Sequence, residues 1–304
     1  MKVGIVGSEG SAKKLARHLE EAGIHADFVA AGIQKSPTSF FRLKDYDIIH
    51  GLFMRRFVFC SLIFGKMLGK ITICHWMGSD VMRVLKNTRF RLMALALNKC
   101  VDLNIVFWEN LKEELKHIGI ESVVWPIPVD IEYFSADELP SMPEKFSVLC
   151  KIADDWLYGS DSVFKLAKDF PDVRFLVVSG KHKHPTWLLS KKDEALNIVF
   201  LGWKNNMREV YRQSTVLLRL TKHDGLSYMV VESLAMGRQV IWSHNFLPYC
   251  RYVKNHIEAK EAISKIQKDP KLNVDGAEYV RKNFNPKFII RKLIHIYNGL
   301  ISER

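Results

Sequence analysis

Cysteine is scarce in this 304-residue chain, and its few cysteines are far apart, at positions 60, 74, 100, 150 and 250. No two of them have metal-binding spacing. Their odd number excludes a simple disulfide framework and indicates reduced thiols in a cytoplasmic protein. The composition, with 48% hydrophobic and 26% charged residues, excludes collagen-like, disordered and coiled-coil chains.

Long apolar runs are also absent. The most apolar stretch, residues 51–70, is interrupted by Arg55, Arg56 and Lys66, and the uncharged run between them is too short to span a bilayer. The N-terminal sequence MKVGIVG does not lead into the apolar core of a secretory signal. We therefore expect a cytoplasmic protein, and peripheral contact with the inner face of a membrane is the open alternative.

Acidic residues are outnumbered: 33 Asp and Glu face 45 Lys and Arg, for a net charge of +12. This excess favours anionic partners. Much of it lies in residues 51–101, the basic segment, where nine Lys or Arg accompany a single acid, Asp80, among Phe, Leu and Met. The segment fits a surface for anionic lipid head groups. It fits equally well two ordinary helices with apolar cores and solvated faces.

Short apolar strands alternate with amphipathic helical stretches in both halves of the chain. Such alternation predicts parallel strands joined by helical crossovers. A proline-rich, acidic stretch at 126–144 is typical of a linker. We predict an α/β protein with two doubly wound, Rossmann-like domains at 1–125 and 145–285 and a terminal helix at 286–304. The cleft between the domains, at the carboxyl ends of the strands, is the expected ligand site.

Glycines stand at positions 4, 7 and 10, around the end of the first strand. A dinucleotide fingerprint has the form G-x-G-x-x-G, but Ile5 occupies its first glycine position and Asp27 comes too early to hold a ribose. A nicotinamide-dependent oxidoreductase is therefore not favoured. The turn at Gly7 and Ser8 could bring backbone N–H groups close to a ligand at a helix N-terminus. Alternatively, it is a tight turn that needs no ligand.

A second loop candidate lies in ICHWMGSDV, residues 73–81. We expect the strand to end at about His75 and a polar loop to continue to Asp80, because loops at strand ends commonly carry functional groups. His75 could hydrogen-bond a sugar hydroxyl or take part in proton movement. Asp80 could face an acceptor, or it could simply cap the following helix.

The most informative stretch is RLTKHDGLSYMVVESLAMGRQVIWS, residues 219–243. A strand leads into a loop with Asp224 and Gly225, and a helix follows, with Glu232 about two turns into it. The backbone N–H groups at the helix start favour a phosphate; they belong to Leu226, Ser227 and Tyr228. Glu232 could grip a ribose diol. The alternatives are that Ser227 is a plain N-cap and Glu232 a solvated helix charge.

Residues 224–241 resemble the E-G-F-P-x-x-x-x-E-A-M-A-x-G-x-P-V-I signature of retaining glycosyltransferases of family 4 (glycosyl transferases group 1), which have the GT-B fold. Four other stretches resemble family motifs in the same order along the chain: HWMGSD, WPIPVDIEYF, YGSD and NIVFLGW. The resemblance therefore extends over almost the whole sequence.

The resemblance implies transfer of a sugar from a nucleoside diphosphate sugar to an acceptor, with retention of anomeric configuration and without a metal or cofactor. It implies two catalytic positions, His75 and Asp224. It implies an acceptor side in the first domain, with Gly7, Ser8 and Asp80. The donor-binding positions are expected in the second domain. The resemblance implies Lys151 and Glu232. The start of the helix adds Gly225, Leu226, Ser227 and Tyr228, and Arg219 is a nearby cation that could join them.

The sequence also departs from the family. Asp224 replaces a glutamate, Leu226 and Ser227 replace Phe-Pro, and Tyr158 stands where the family has a phosphate-binding lysine. The residues that would bind the diphosphate of the donor thus carry one positive charge fewer than in the family, unless Arg219 or Lys222 compensates. A GT-B-like nucleotide- or sugar-binding protein with weak or no transfer is the alternative. A nucleic-acid-binding protein is disfavoured because no recognition motif is present.

The sequence identifies neither the acceptor nor the base of the donor nucleotide. A lipid-linked acceptor and a polysaccharide are both compatible with the sequence. Trp203 could stack on the base of the donor, or it could be an exposed loop residue.

Overall fold

A computed structural model describes residues 1–29, 38–134, 138–153, 156–180, 190 and 195–304. The end of the predicted strand ADFVAA and residues 135–137 of the predicted linker lie outside the described residues. The chain forms two compact units: the first comprises Met1–Pro128 and Asn285–Arg304, and the second comprises Val129–Phe284.

The first unit is built on a parallel sheet. Its strands are β1 (Lys2–Val6), β2 (His25–Val29), β3 (Ile48–Leu52), β4 (Ile71–Trp76), β5 (Leu103–Val106) and β6 (Val123–Val124). They lie in the order β2-β1-β3-β4-β5-β6. Every residue of β3 and β4 is buried, as expected for inner strands covered on both faces.

Helices connect these strands. They are α1 (Glu9–Glu21), α2 (Thr38–Phe41), α3 (Arg56–Met67), α4 (Ser79–Lys86), α5 (Thr88–Asn98) and α6 (Glu109–Lys116), and a 3-10 turn covers Arg42–Asp45. Along α1, the buried Leu15 and Leu19 are four residues apart, so they fall on one helix face toward the sheet. The predicted crossover pattern is confirmed here.

The C-terminal helix, Pro286–Ser302, also belongs to the first unit. Pro286 stands at its start, where the missing N–H costs nothing, and Asn285 caps it by accepting the Lys287 N–H. The indole of Trp125 donates to the carbonyl of Ile289 at 2.9 Å. The Arg304 guanidinium donates to the carbonyl oxygen of Lys70 at 2.8 Å.

The second unit has the same architecture. Its strands are β7 (Ser147–Lys151), β8 (Arg174–Val178), β9 (Ile198–Gly202), β10 (Val216–Arg219), β11 (Gln239–Trp242) and β12 (Arg251–Tyr252). They are parallel and lie in the order β12-β11-β10-β7-β8-β9. The buried core between sheet and helices includes Val148, Phe175, Val216 and Ile263.

The helices of the second unit are α7 (Ile131–Phe134), α8 (Ser160–Asp169), α9 (Met207–Arg212), α10 (Tyr228–Ala235), α11 (His256–Lys268) and α12 (Val274–Asn283). A 3-10 turn covers Trp156–Tyr158. The prediction of two doubly wound parallel sheets is therefore confirmed. Within the described part of the chain, no helix combines the length and apolarity needed to cross a membrane.

Candidate functional site

Two loops of the second unit meet at the carboxyl edge of its sheet, because β7 and β10 are neighbouring parallel strands. The N–H of Lys222 donates to the carbonyl of Leu157 at 2.9 Å. Gly159 adopts φ +59, and a Cβ there would approach the Leu220 carbonyl oxygen to 2.3 Å. Only glycine permits this approach. The two loops therefore hold Tyr158 and Arg219 next to each other.

The ring of Tyr158 has two cationic neighbours. The Nζ of Lys151, at the end of β7, lies 5.2 Å from the ring centroid. The guanidinium carbon of Arg219, at the end of β10, lies 5.9 Å from the same centroid. Both distances are in the range of cation–π attraction. Tyr158, at the position where the resemblance implied a lysine, thus has two cations close to its ring.

Asp224 is engaged by Arg219. The guanidinium donates through Nε at 2.5 Å and through Nη2 at 3.0 Å, and the hydroxyl of Thr221 donates to the same carboxylate at 3.1 Å. The Arg219 and Asp224 side chains are only 11% and 13% exposed. Burial lowers the pKa of Arg219, but the Asp224 carboxylate more than offsets this effect, so the pKa is raised. Arg219 therefore holds Asp224 by two hydrogen bonds in a largely desolvated place.

Glu232 is the fifth residue of α10, so it lies little more than one turn into the helix rather than two. Its side chain is buried, and its Oε2 accepts the hydroxyl of Tyr211 at 2.7 Å. Burial is the larger cause and the Glu232 charge the next, and together they raise the pKa of Tyr211 well above its usual value. Glu232 is thus not a solvated helix charge. Ser227 occupies the N-cap position, but its side chain makes no capping hydrogen bond.

The structure adds two residues that the sequence did not single out. Tyr211 orients Glu232 from α9. His244 follows β11, the third strand that ends at this edge, and its ring stacks on Phe246 at 4.8 Å. Burial lowers the pKa of His244, while the nearby Asp224 opposes that shift. A polar residue after an apolar strand was the available sequence signal for His244.

Gly7 and Ser8 join β1 to α1 in the first unit. A Cβ at Gly7 would approach the Leu52 carbonyl oxygen to 2.6 Å, so packing against β3 requires glycine here. Ser8 has an extended backbone at the N-cap of α1, and its side chain makes no capping hydrogen bond. The first alternative for this turn, contact with a ligand, stays a prediction.

His75 lies inside β4, not in a loop, because the strand continues through Trp76. This corrects the predicted strand end. The ring is fully buried, and its Nδ1 is 3.2 Å from Nε2 of His50. Nδ1 of His50 is in turn 2.7 Å from the hydroxyl of Tyr297. Direct contact of His75 with a sugar stays a prediction that this buried position does not support.

Asp80 lies in the first turn of α4, whose N-cap is Gly78. Its carboxylate accepts the N–H groups of Met54, Met77 and Gly78 at 2.8, 3.0 and 2.9 Å. Burial raises the pKa of Asp80 and these hydrogen bonds oppose the rise. Asp80 therefore ties the β3 and β4 loops together. It is not the N-cap of α4, which corrects the alternative of a simple helix cap. A role toward an acceptor stays a prediction.

The predicted residues thus form two groups. Lys151, Arg219, Asp224 and Glu232 gather at one sheet edge of the second unit, whereas His75 and Asp80 stabilise the interior of the first. Among the described residues, no group of three or more His, Cys, Asp or Glu is arranged to hold a metal ion.

Part of the chain matches a known protein family, and the fold resembles solved structures. Residues 155–270 match the family model described as Glycosyl transferases group 1. No curated protein sequence matches the chain. Among solved structures, sucrose-phosphate synthase from Thermosynechococcus elongatus is similar over 100% of both chains, with TM-score 0.77 and 14% identity.

Two further structures resemble the whole chain. HepE from Anabaena, in complex with UDP-glucose, is similar with TM-score 0.77 and 12% identity over 98% of this chain and 100% of that one. A glycosyltransferase from Rickettsia africae ESF-5 is similar with TM-score 0.72 and 14% identity over 100% and 99%. The chain therefore has the fold of the GT-B glycosyltransferases, and its second unit carries the match to glycosyl transferases group 1.

Proposed function

We propose that the protein is a glycosyltransferase that moves a sugar from a nucleoside diphosphate sugar to an acceptor with retention of anomeric configuration. The observation that carries this proposal is the convergence of two cations and two carboxylates at the carboxyl edge of the second sheet. That edge lies largely within residues 155–270, which match Glycosyl transferases group 1. The bound UDP-glucose named for HepE supports a donor of this class.

The donor lies, in this proposal, at the loops that follow β7 and β10. Lys151 and Arg219 contact the diphosphate, and the backbone at the start of α10 contributes N–H groups from Gly225, Leu226, Ser227 and Tyr228. Fixed positive charge at this place stabilises the negative charge that develops as the sugar leaves. These protein cations supply the neutralisation that a metal gives in other transferases, so we propose that catalysis is metal-independent.

Glu232 binds the ribose in this proposal. A buried carboxylate that already accepts one hydroxyl, from Tyr211, has further lone pairs for a diol. Asp224 lies beside Arg219 at the place where the transferred sugar leaves the diphosphate, and its carboxylate faces the sugar hydroxyls.

We propose that the acceptor side belongs to the first unit and that the basic segment contacts an anionic membrane surface from the cytoplasm. Arg55 and Arg56, at the start of α3, are exposed. Met67, at the end of α3, is 79% exposed, and Leu92 of α5 is 63% exposed. Exposed apolar side chains among cations are what an interfacial surface needs. A lipid-linked acceptor or a membrane-associated polysaccharide fits this arrangement.

The donor site is tested by calorimetry with a panel of nucleotides and nucleotide sugars, without added metal. We expect at least one nucleoside diphosphate sugar to bind. Glu232→Gln should weaken it by about tenfold or more, because loss of a charge-assisted hydrogen bond costs roughly 1.5–3 kcal/mol. Tyr211→Phe should weaken it less, because only the orientation of Glu232 is lost.

Glu209→Gln is the matched control, since Glu209 is an exposed glutamate of α9 that pairs with Arg212. It should leave the affinity unchanged. Lack of binding to every member of the panel would overturn the proposed function. Equal binding by wild type and Glu232→Gln would place the donor elsewhere. Retention is then read from the anomeric signals of the transfer product by NMR.

A second candidate function is nucleotide-sugar binding with little transfer. Its specific support is the pairing of Asp224 with Arg219, because a carboxylate held in this way is not free for the sugar. Donor binding without measurable transfer or donor hydrolysis would favour this candidate.

A further inference from the structure

We propose that Arg219 exchanges partners during the catalytic cycle: Asp224 holds the guanidinium in the free protein, and the diphosphate of the donor takes it over. Lys151 and Arg219, gathered by Tyr158, then form the diphosphate clamp. This inference rests on the proposed function and adds how the site recognises a donor and releases the product.

The first step concerns the missing lysine. Tyr158 cannot neutralise a phosphate, yet its ring lies within 5.2 Å of the Lys151 ammonium and 5.9 Å of the Arg219 guanidinium carbon. Two like charges repel, and an aromatic ring shared by both reduces that cost. Tyr158 therefore keeps two cations at one place, and the clamp has two positive charges without the lysine.

The second step concerns which groups compete for Arg219. Its Nε and Nη2 both donate to Asp224, which is the fork geometry that phosphate oxygens also accept. A diphosphate presents the same pair of acceptors with a larger negative charge. Asp224 occupies the side of the guanidinium that carries Nε and Nη2, so a diphosphate that binds through this side must displace the carboxylate. Asp224 and the diphosphate are therefore alternative partners of this side of Arg219.

The third step concerns burial. The pair is nearly desolvated, so a guanidinium or a carboxylate left alone there would be costly. In the free protein each group satisfies the other. When a nucleotide sugar binds, Arg219 gains the diphosphate and the released carboxylate of Asp224 gains the hydroxyls of the sugar. Neither Arg219 nor Asp224 is left without a partner, either in the free protein or in the complex with the nucleotide sugar.

The exchange predicts an asymmetry between substrate and product. After transfer, the nucleoside diphosphate no longer offers sugar hydroxyls to Asp224. The carboxylate, left with the Thr221 hydroxyl, then competes for Arg219 again and weakens the hold on the product. Asp224 thus favours the intact donor over the spent diphosphate, which promotes product release.

The test is Asp224→Asn, measured by calorimetry with the monophosphate, diphosphate and diphosphate sugar of the nucleoside that binds in the panel. We expect the diphosphate to bind about tenfold or more tightly than to wild type, because its competitor is gone. The monophosphate should be unchanged, and the diphosphate sugar should gain little or lose affinity. In an Arg219→Gln background, Asp224→Asn should give no gain for the diphosphate.

Asp172→Asn is the control for net charge, because Asp172 is exposed in the turn between α8 and β8. A gain of the same size in this control, an equal gain for monophosphate and diphosphate, or a gain that persists with Arg219→Gln would each overturn the exchange. If Asp224→Asn does not fold, Tyr158→Leu tests the clamp directly: diphosphate affinity should fall at least about fivefold while monophosphate affinity holds. A wild-type protein that binds no nucleotide at all would instead defeat the proposed function.

Discussion

Two buried histidines and a tyrosine form a continuous hydrogen-bonded series inside the first unit. His75 contacts His50, and His50 contacts the hydroxyl of Tyr297. All three side chains are fully buried. Burial lowers the pKa of His50 to about 3. Burial, together with His50, also lowers the pKa of His75 well below its usual value. Both rings are therefore neutral in the folded protein at neutral pH.

This series predicts acid sensitivity. Below the ordinary histidine pKa of about 6.5, His50 and His75 bind protons in the unfolded chain but stay neutral in the folded protein. The free energy of unfolding therefore falls as the pH falls toward 3. The loss from His50 is about 2 kcal/mol at pH 5. Denaturant unfolding of His50→Gln should show a smaller drop in midpoint between pH 7 and pH 5 than wild type.

His117→Gln is the control for this experiment, since His117 is exposed at the end of α6. It should show the wild-type pH dependence. An identical pH dependence in wild type and His50→Gln would contradict the assignment of acid sensitivity to His50.

At the scale of elements, the loop after β7 owes its position to Gly159. This residue is left-handed, with φ +59, and it approaches the backbone of Leu220. Gly159→Ala combines left-handed strain with a backbone clash, so the loop must shift and move Tyr158 away from Arg219. We expect weaker nucleoside diphosphate binding, by about tenfold, measured by calorimetry, and a destabilisation above about 1–2 kcal/mol.

Gly119→Ala is the matched variant for that prediction. Gly119 is also left-handed, with φ +80, but nothing lies within 4 Å of a Cβ placed there. It should cost only about 1–2 kcal/mol of strain and leave nucleotide affinity unchanged. A Gly159→Ala protein with wild-type affinity would show that the loop position does not control the clamp.

The elements themselves were largely accessible from the sequence, because apolar runs bounded by glycine and polar residues predict strands of parallel sheets. Two features escaped. β12 is two exposed residues with no apolar pattern. The end of β4 was placed too early because His75 looks like a loop residue in the sequence. The residues that lead to its Nδ1 are His50 and, beyond it, Tyr297 far along the chain. The pairing of Arg219 with Asp224 escaped for a similar reason: spacing brings residues to one loop but does not give side-chain partners.

At the scale of the whole molecule, the net charge of +12 is unevenly distributed, and the basic segment holds +8 of it. Its cations lie on and beside α3, α4 and α5, and many of them are exposed. Each cation near an anionic bilayer contributes roughly 1 kcal/mol, so a small number of substitutions should have a measurable effect on the proposed membrane contact.

We expect Arg55→Glu with Arg56→Glu to weaken binding to anionic vesicles by about tenfold or more in a sedimentation assay at physiological salt. Lys265→Glu with Lys268→Glu changes the net charge equally in the second unit, and it should have a much smaller effect. Vesicles of uncharged lipid should bind neither the wild type nor either double variant. Intact vesicle binding by the Arg55 and Arg56 variant would defeat the membrane contact.

The C-terminal helix has a consequence for biosynthesis. The second unit is one continuous segment, so all of its residues have been synthesised once Phe284 is in the chain. Residues 1–128 of the first unit precede the second unit, yet Trp125 and His50 receive their partners Ile289 and Tyr297 only after the whole second unit has been translated. Nascent domains generally fold as units once they are fully synthesised. The first unit, although most of it is made before the second, is therefore completed after it.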